Sequence, residues 1–98
     1  MNIQQEKTGS TLTLKLEGRL DTATAPQLES CLNDVLKDTT SLVLDFSALE
    51  YISSAGLRVL LSAQKRMNKQ GKMVIRNVNE VINEVFEMTG FADILSIE

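Results

Sequence analysis

Ser41-Leu42-Val43-Leu44-Asp45-Phe46-Ser47-Ala48-Leu49-Glu50-Tyr51-Ile52-Ser53-Ser54-Ala55-Gly56-Leu57-Arg58-Val59-Leu60-Leu61 is the stretch that decides the fold. Its Leu-Val-Leu opening does not alternate, the pattern of a strand covered on both faces. The spacing predicts a strand over residues 41–45, a polar turn over 46–54 and a helix over 55–70. Leu57, Leu60, Leu61 and Met67 form the inward stripe of that helix, and Arg58, Lys65, Arg66 and Lys69 stay in solvent. At the junction two adjacent serines followed by Ala-Gly aim small hydroxyls at the surface where strand hands over to helix.

Upstream, Thr11 to Glu17 alternates strictly, with leucines on one face and polar groups on the other, a half-buried strand. Thr8-Gly9-Ser10 is a turn signal that joins it to a weak edge strand over residues 2–7. Gly18-Arg19-Leu20-Asp21-Thr22 leads to a helix carrying Leu28, Cys31, Leu32, Val35 and Leu36 on one stripe. Thr24 and Gln27 have the spacing of a capping box, and Pro26 fits a first turn.

Downstream, Gly71 suits the end of the second helix, and Lys72 to Arg76 is a short strand. Asn79 is placed to cap a third helix with Val81, Ile82, Val85 and Phe86 inward, and Gly90 to end it. Ile94, Leu95 and Ile97 form a last short strand or a packed tail. The order β-β-α-β-α-β-α-β predicts a small α/β domain with a mixed sheet of four to five strands. Successive right-handed βαβ units place the helices mainly on one face, and the first hairpin adds an antiparallel edge. No repeat or linker divides the chain, so residues 1–98 are read as one domain.

Composition excludes several function classes. A formal net charge of -3 and no Lys/Arg cluster argue against nucleic-acid binding. Phe46, Tyr51, Phe86 and Phe91 are too few aromatics for a base-stacking platform. Cys31 is the only cysteine, so no intramolecular disulfide forms, and the thiol reads as a small buried hydrophobe. There is no apolar signal region and no membrane-spanning run, so the expectation is a cytoplasmic protein without membrane insertion. Histidine is absent, which removes the commonest general base and the commonest metal ligand. No metal or cofactor is expected.

The serine turn admits four readings. Ile52-Ser53-Ser54-Ala55-Gly56 lies one glycine short of a nucleophile elbow, but no histidine can activate the serine, which argues against a small hydrolase. A phosphate-binding loop fails for want of flanking glycines and a Lys-Ser/Thr pair. A serine here also suits a plain helix N-cap. The fourth reading is a modified serine. A phosphate at a helix N-terminus meets free N–H groups and the positive dipole end, and adds about −1.5 to −2 charges at an exposed turn. Asp21 and Asp45, at or beyond strand ends, are expected near it.

Leu42 to Ser47, then Tyr51 to Leu61, resemble the signature of STAS domains, and more closely that of stand-alone bacterial anti-sigma-factor antagonists. Gly18-Arg19-Leu20-Asp21 matches the family's segment before the first helix, and Phe86 to Phe91 resembles its closing helix and turn. The resemblance implies a partner switch in transcription regulation, with no catalysis by the chain itself. It implies that the unphosphorylated form binds an anti-sigma factor that is also a serine kinase of the GHKL ATPase type, freeing the sigma factor. Phosphorylation of the serine at the start of the second helix then releases the kinase, and a PP2C-type phosphatase restores the binding form. By position Ser54 matches the phosphoacceptor, with Ser53 second because it stands where many members carry aspartate. Asp21, Thr22, Asp45, Ser53, Ser54, Gly56, Leu57 and Arg58 are the expected partner-binding residues. The alternative is a STAS scaffold or accessory subunit of a membrane transporter or signalling complex, without phosphorylation.

Overall fold

The computed structural model describes residues 1–98. The chain runs β1 (Asn2–Thr8), β2 (Thr11–Leu20), α1 (Ala25–Val35), β3 (Ser41–Ile52), α2 (Ser54–Gln70), β4 (Lys72–Arg76) and α3 (Glu80–Thr89), with a 3-10 turn over Phe91–Asp93. The sheet order is β1-β2-β3-β4. β1 is antiparallel to β2, while β2, β3 and β4 are mutually parallel, as two successive βαβ units require. The mixed sheet and the edge hairpin agree with the sequence expectation.

Alternation along β2 decides which face is covered. Leu12, Leu14 and Leu16 are buried, and register aligns Leu12 with Leu42 and Leu14 with Leu44 in β3, then Met73 and Ile75 in β4. These side chains meet Leu28 and Leu32 of α1, Leu57, Leu60 and Met67 of α2, and Ile82 and Phe86 of α3 in one core. Phe46 and Phe86 fix α3 against β3, with ring centroids 6.5 Å apart. Val43 is buried yet stands outside that core, opposite Val74 on the helix-free face, among Thr13, Lys15 and Asp45.

Five local expectations are corrected or refined. β3 does not stop at Asp45. It continues through the expected turn to Ile52, pairing with β2 to Leu20 through two register shifts, at Lys15/Glu17 and Gly18/Arg19. Each shift inserts an unpaired residue and re-aims the strand, so a segment without clean alternation still pairs. The last strand reduces to one parallel bridge, Ile75 to Ile97, in which Ile75 N donates to Ser96 O and Glu98 N donates to Ile75 O. Val81 is 59% exposed and so leaves the inward stripe of α3, which keeps Ile82 and Phe86. On α2 the buried set gains Val59, Ala63 and Gln64 and holds Leu61 half-buried.

The cap of α1 is the fifth. Thr24 takes the N-cap position but does not cap through its side chain, and Gln27 Nε2 donates instead to Met1 O at 2.9 Å. No side chain caps α1; Asp21 instead orders the turn that leads into it, its Oδ1 accepting from Ala23 N at 3.0 Å and Thr24 N at 3.1 Å. Asn79 caps α3 as expected, accepting from Ile82 N at 2.8 Å, and Gly90 ends that helix with φ +81. No helix is long and apolar enough to cross a membrane.

Candidate functional site

Parallel strands bring their C-terminal ends to one side, and each following helix starts there. Leu20 ends β2 and Ile52 ends β3, while α1 begins at Ala25 and α2 at Ser54. Two helix N-termini, each with partly unpaired N–H groups and a positive dipole end, therefore share this edge. Crevices outside the carboxyl ends of strands are the usual binding place in open α/β sheets.

The two serines have different fates. Ser53 is extended, with φ -104 and ψ 175; its N–H donates to Leu20 O at 2.9 Å, and its carbonyl accepts from Leu57 N at 3.0 Å. That backbone pairing turns the side chain inward, where Ser53 Oγ is buried and has no hydrogen-bond partner. Ser53 therefore holds the N-cap position without side-chain capping, contrary to the plain-cap expectation. Ser54, the first residue of α2, is exposed. The amides at the head of α2 therefore receive nothing from Ser53 Oγ.

Gly56 lets α2 start this close to the sheet. A Cβ there would lie 2.6 Å from Leu20 Cγ and 3.0 Å from Ile52 Cγ1. Leu57, the next residue, is buried at 5% exposure in the core. Gly56 and Leu57 thus position the turn from below. The accessible residues are Thr22, Ser54 and Arg58.

Asp21 follows Leu20 directly, so Asp21 and Ser54 flank the Leu20–Ser53 hydrogen bond. The backbone amide of Thr24, then its hydroxyl, the Ala23 amide and the Arg19 guanidinium hold the Asp21 carboxyl below the usual range, against some desolvation. Thr24 Oγ1 in turn accepts from Asp21 N at 2.8 Å and donates to Arg19 O at 2.8 Å. This knot keeps a carboxylate fixed at the rim. A cleft of about 220 Å3 separates the two helix starts, with Thr22, Pro26 and Glu29 on one side and Ala55, Arg58 and Val59 on the other. A larger cleft of about 410 Å3 lies at the opposite end of the strands, near the hairpin turn and the end of α1.

Asp45 is not brought to the site. It stands within β3 on the helix-free face, eight residues before Ser53, roughly 25 Å along an extended strand. Its Oδ1 accepts from Ser47 N and Asn77 Nδ2, both at 2.9 Å. Burial pushes its carboxyl up, but the hydrogen bonds from Asn77 and Ser47 outweigh this and leave it below the ordinary value.

Two residues that sequence reasoning missed complete the rim. Arg19 and Tyr51 face each other across the β2–β3 ladder, with the guanidinium 4.4 Å from the ring centroid, and Arg19 Nε lies 3.7 Å from Asp21 Oδ2. Tyr51 is 37% exposed. The pairing depends on the two register shifts, so alternation in the sequence carried no signal for it.

Comparison with known proteins matches this architecture. The candidate anti-sigma factor antagonist BtrV of Bordetella bronchiseptica is 38% identical, over 99% of this chain and 85% of its own. A candidate anti-sigma factor antagonist of Thermotoga maritima superposes with a TM-score of 0.91 at 20% identity, covering 97% of this chain and 84% of that one. Bacillus SpoIIAA in its phosphorylated form gives a TM-score of 0.76 at 20% identity, covering 99% and 91%. The two structural likenesses carry the fold. The STAS domain family matches residues 2–98, and the chain belongs to that family.

Proposed function

We propose that this chain is an anti-sigma factor antagonist that changes partners when Ser54 is phosphorylated. Its unphosphorylated form binds an anti-sigma factor that is also a serine kinase of the GHKL ATPase type, and so frees a sigma factor in the cytoplasm. The kinase transfers the γ-phosphoryl group of ATP to Ser54. The Oγ–P bond forms as the bond to ADP breaks, and the hydroxyl proton leaves. A PP2C-type phosphatase reverses the modification by hydrolysis. The chain is a substrate and a ligand in this scheme, and performs no catalysis of its own.

The observation that carries this reading is the contrast between the paired serines. Ser54 Oγ stands on an exposed residue at the head of α2, within reach of a kinase. Ser53 Oγ is buried. The free amides at the head of α2 and its dipole accommodate a phosphate on Ser54 without unfolding the helix. The new charge then meets a partner that had docked on a neutral hydroxyl, at a cost in repulsion and desolvation. In support, the relative BtrV carries the antagonist designation, and SpoIIAA has been solved both with and without phosphate.

The test is intact-mass analysis after incubation with the cognate kinase and ATP. Wild type and Ser53→Ala gain one phosphate each, and Ser54→Ala gains none. A phosphate on Ser54→Ala with none on Ser53→Ala overturns the assignment.

A further inference from the structure

We propose that Arg58 receives the phosphate on Ser54, closing its guanidinium over the phosphoryl oxygens at the mouth of the cleft between α1 and α2. The inference rests on the reading of Ser54 as the modified residue and adds what happens to the phosphate once it is there.

Ser54 and Arg58 stand four residues apart in α2, hence on the same face one turn apart. The acidic group would be N-terminal to the basic one, which is the favourable order for a helical pair. Both side chains are exposed. The cleft beside them, about 220 Å3, is lined by Arg58 and by Ala55, the residue next to Ser54, and has room for a phosphate.

A survey of the arginines singles out Arg58. Arg19 stacks on Tyr51 and pairs with Asp21. Arg66 donates to Asn33 Oδ1 at 3.3 Å, and Arg76 pairs with Glu98 at 2.7 Å. Arg58 has no carboxylate within 4.0 Å and no hydrogen-bond partner, although Glu29 lines the same cleft. The one arginine of the chain left unengaged is thus the one a helical turn below the candidate acceptor. A guanidinium presents paired donors that match a phosphate, and a charge-assisted pair of this kind is stronger than a neutral hydrogen bond. No other cationic side chain occurs on α2 before Lys65.

The pairing gives the modification two effects at once. An anion appears at the docking rim, and a free guanidinium disappears from it. A partner that uses Arg58 through a carboxylate or carbonyl loses that contact in the same event.

The experiment installs phosphoserine at position 54 during protein synthesis, so that no kinase is needed, and follows the phosphate by phosphorus NMR as pH is raised. The second ionisation of phosphoserine lies near pH 6. A neighbouring cation favours the dianion and lowers that value. The helix N-terminus acts equally in every variant. The expected result is a second pKa about 0.2–0.4 unit lower with Arg58 than in Arg58→Gln, with Arg58→Lys between them. Equal values in all three proteins, each folded by circular dichroism, overturn the role of Arg58 and leave the assignment of Ser54 standing. Failure of the cognate kinase to modify Ser54 overturns the assignment itself.

Discussion

Replacing Gly56 by alanine puts a methyl carbon 2.6 Å from Leu20 Cγ and 3.0 Å from both Leu20 Cδ2 and Ile52 Cγ1. Carbon atoms in contact rest at about 3.5–4.0 Å, so one partner has to move by roughly half an ångström or more. Leu20 is 0% exposed and Ile52 2%, which leaves neither a free direction. Leu20 also supplies the carbonyl that accepts from Ser53 N, so displacing it shifts the bond that sets the start of α2. Overpacking of this kind costs about 1–3 kcal/mol. Alanine in a helix gains up to about 1 kcal/mol over glycine, less in a first turn. We expect Gly56→Ala to be destabilised by about 0.5–2.5 kcal/mol, the overpacking cost less a first-turn gain of about 0.5 kcal/mol. At a urea dependence of about 1 kcal/mol/M the unfolding midpoint falls by about 0.5–2.5 M. A double-mutant cycle with Leu20→Ala isolates the contact, because trimming Leu20 removes the clash. The cycle is expected to show a coupling of at least about 0.5 kcal/mol. A midpoint for Gly56→Ala at or above that of wild type, or no coupling to Leu20, refutes the packing argument.

Three further outcomes follow from hydrogen bonding, two at the site and one on the helix-free face. Ser53→Ala is expected to stay within about 0.5 kcal/mol of wild type in urea unfolding, because the buried hydroxyl makes no cap bond to lose. Thr24→Val is expected to lose about 0.5–1.5 kcal/mol in the same assay, since it removes the hydroxyl that bonds Asp21 N and Arg19 O. Asp45 has a carboxyl pKa lowered by folding, so its contribution is fully present above the unfolded value of 3.8 and is lost as pH falls through the folded value. The stability gap between wild type and Asp45→Asn is therefore expected to be larger at pH 7 than at pH 3; an unchanged gap across that range contradicts the hydrogen-bonded carboxylate.

Much of this fold was legible because its signals are local and repeated. Strict alternation from Thr11 to Glu17 marked β2, the Leu28–Leu32 and Leu57–Leu60 stripes marked α1 and α2, and Asn79 and Gly90 marked the ends of α3. What escaped depended on pairing between distant segments. Ser47 and Glu50 are polar and read as turn residues, yet they extend a strand whose hydrogen bonds come from β2 across two register shifts. Asp45 was placed at a strand end for the same reason, and Arg19 and Tyr51 met only because that extension brought them into register. At the caps, Ser53 and Thr24 had the right residue types, but backbone geometry turned the first hydroxyl inward and gave the second to Arg19 O and Asp21 N. The exposure of Ser54 follows from its position as the first helical residue, which the sequence located to within one residue.

The single bridge between Ile75 and Ile97 has a consequence for solubility. An open sheet ends in a row of unpaired amides and carbonyls, which invites strand addition by another molecule. At the β4 border the tail occupies Ile75 N and Ile75 O, and Glu98 neutralises Arg76 beside them. At the β1 border no chain covers the edge, but Gln4, Gln5, Glu6 and Lys7 are all exposed and hydrophilic, with charges of both signs. One border is occupied at Ile75 by the tail's backbone and the other is lined with polar side chains, and both features disfavour strand addition by another copy.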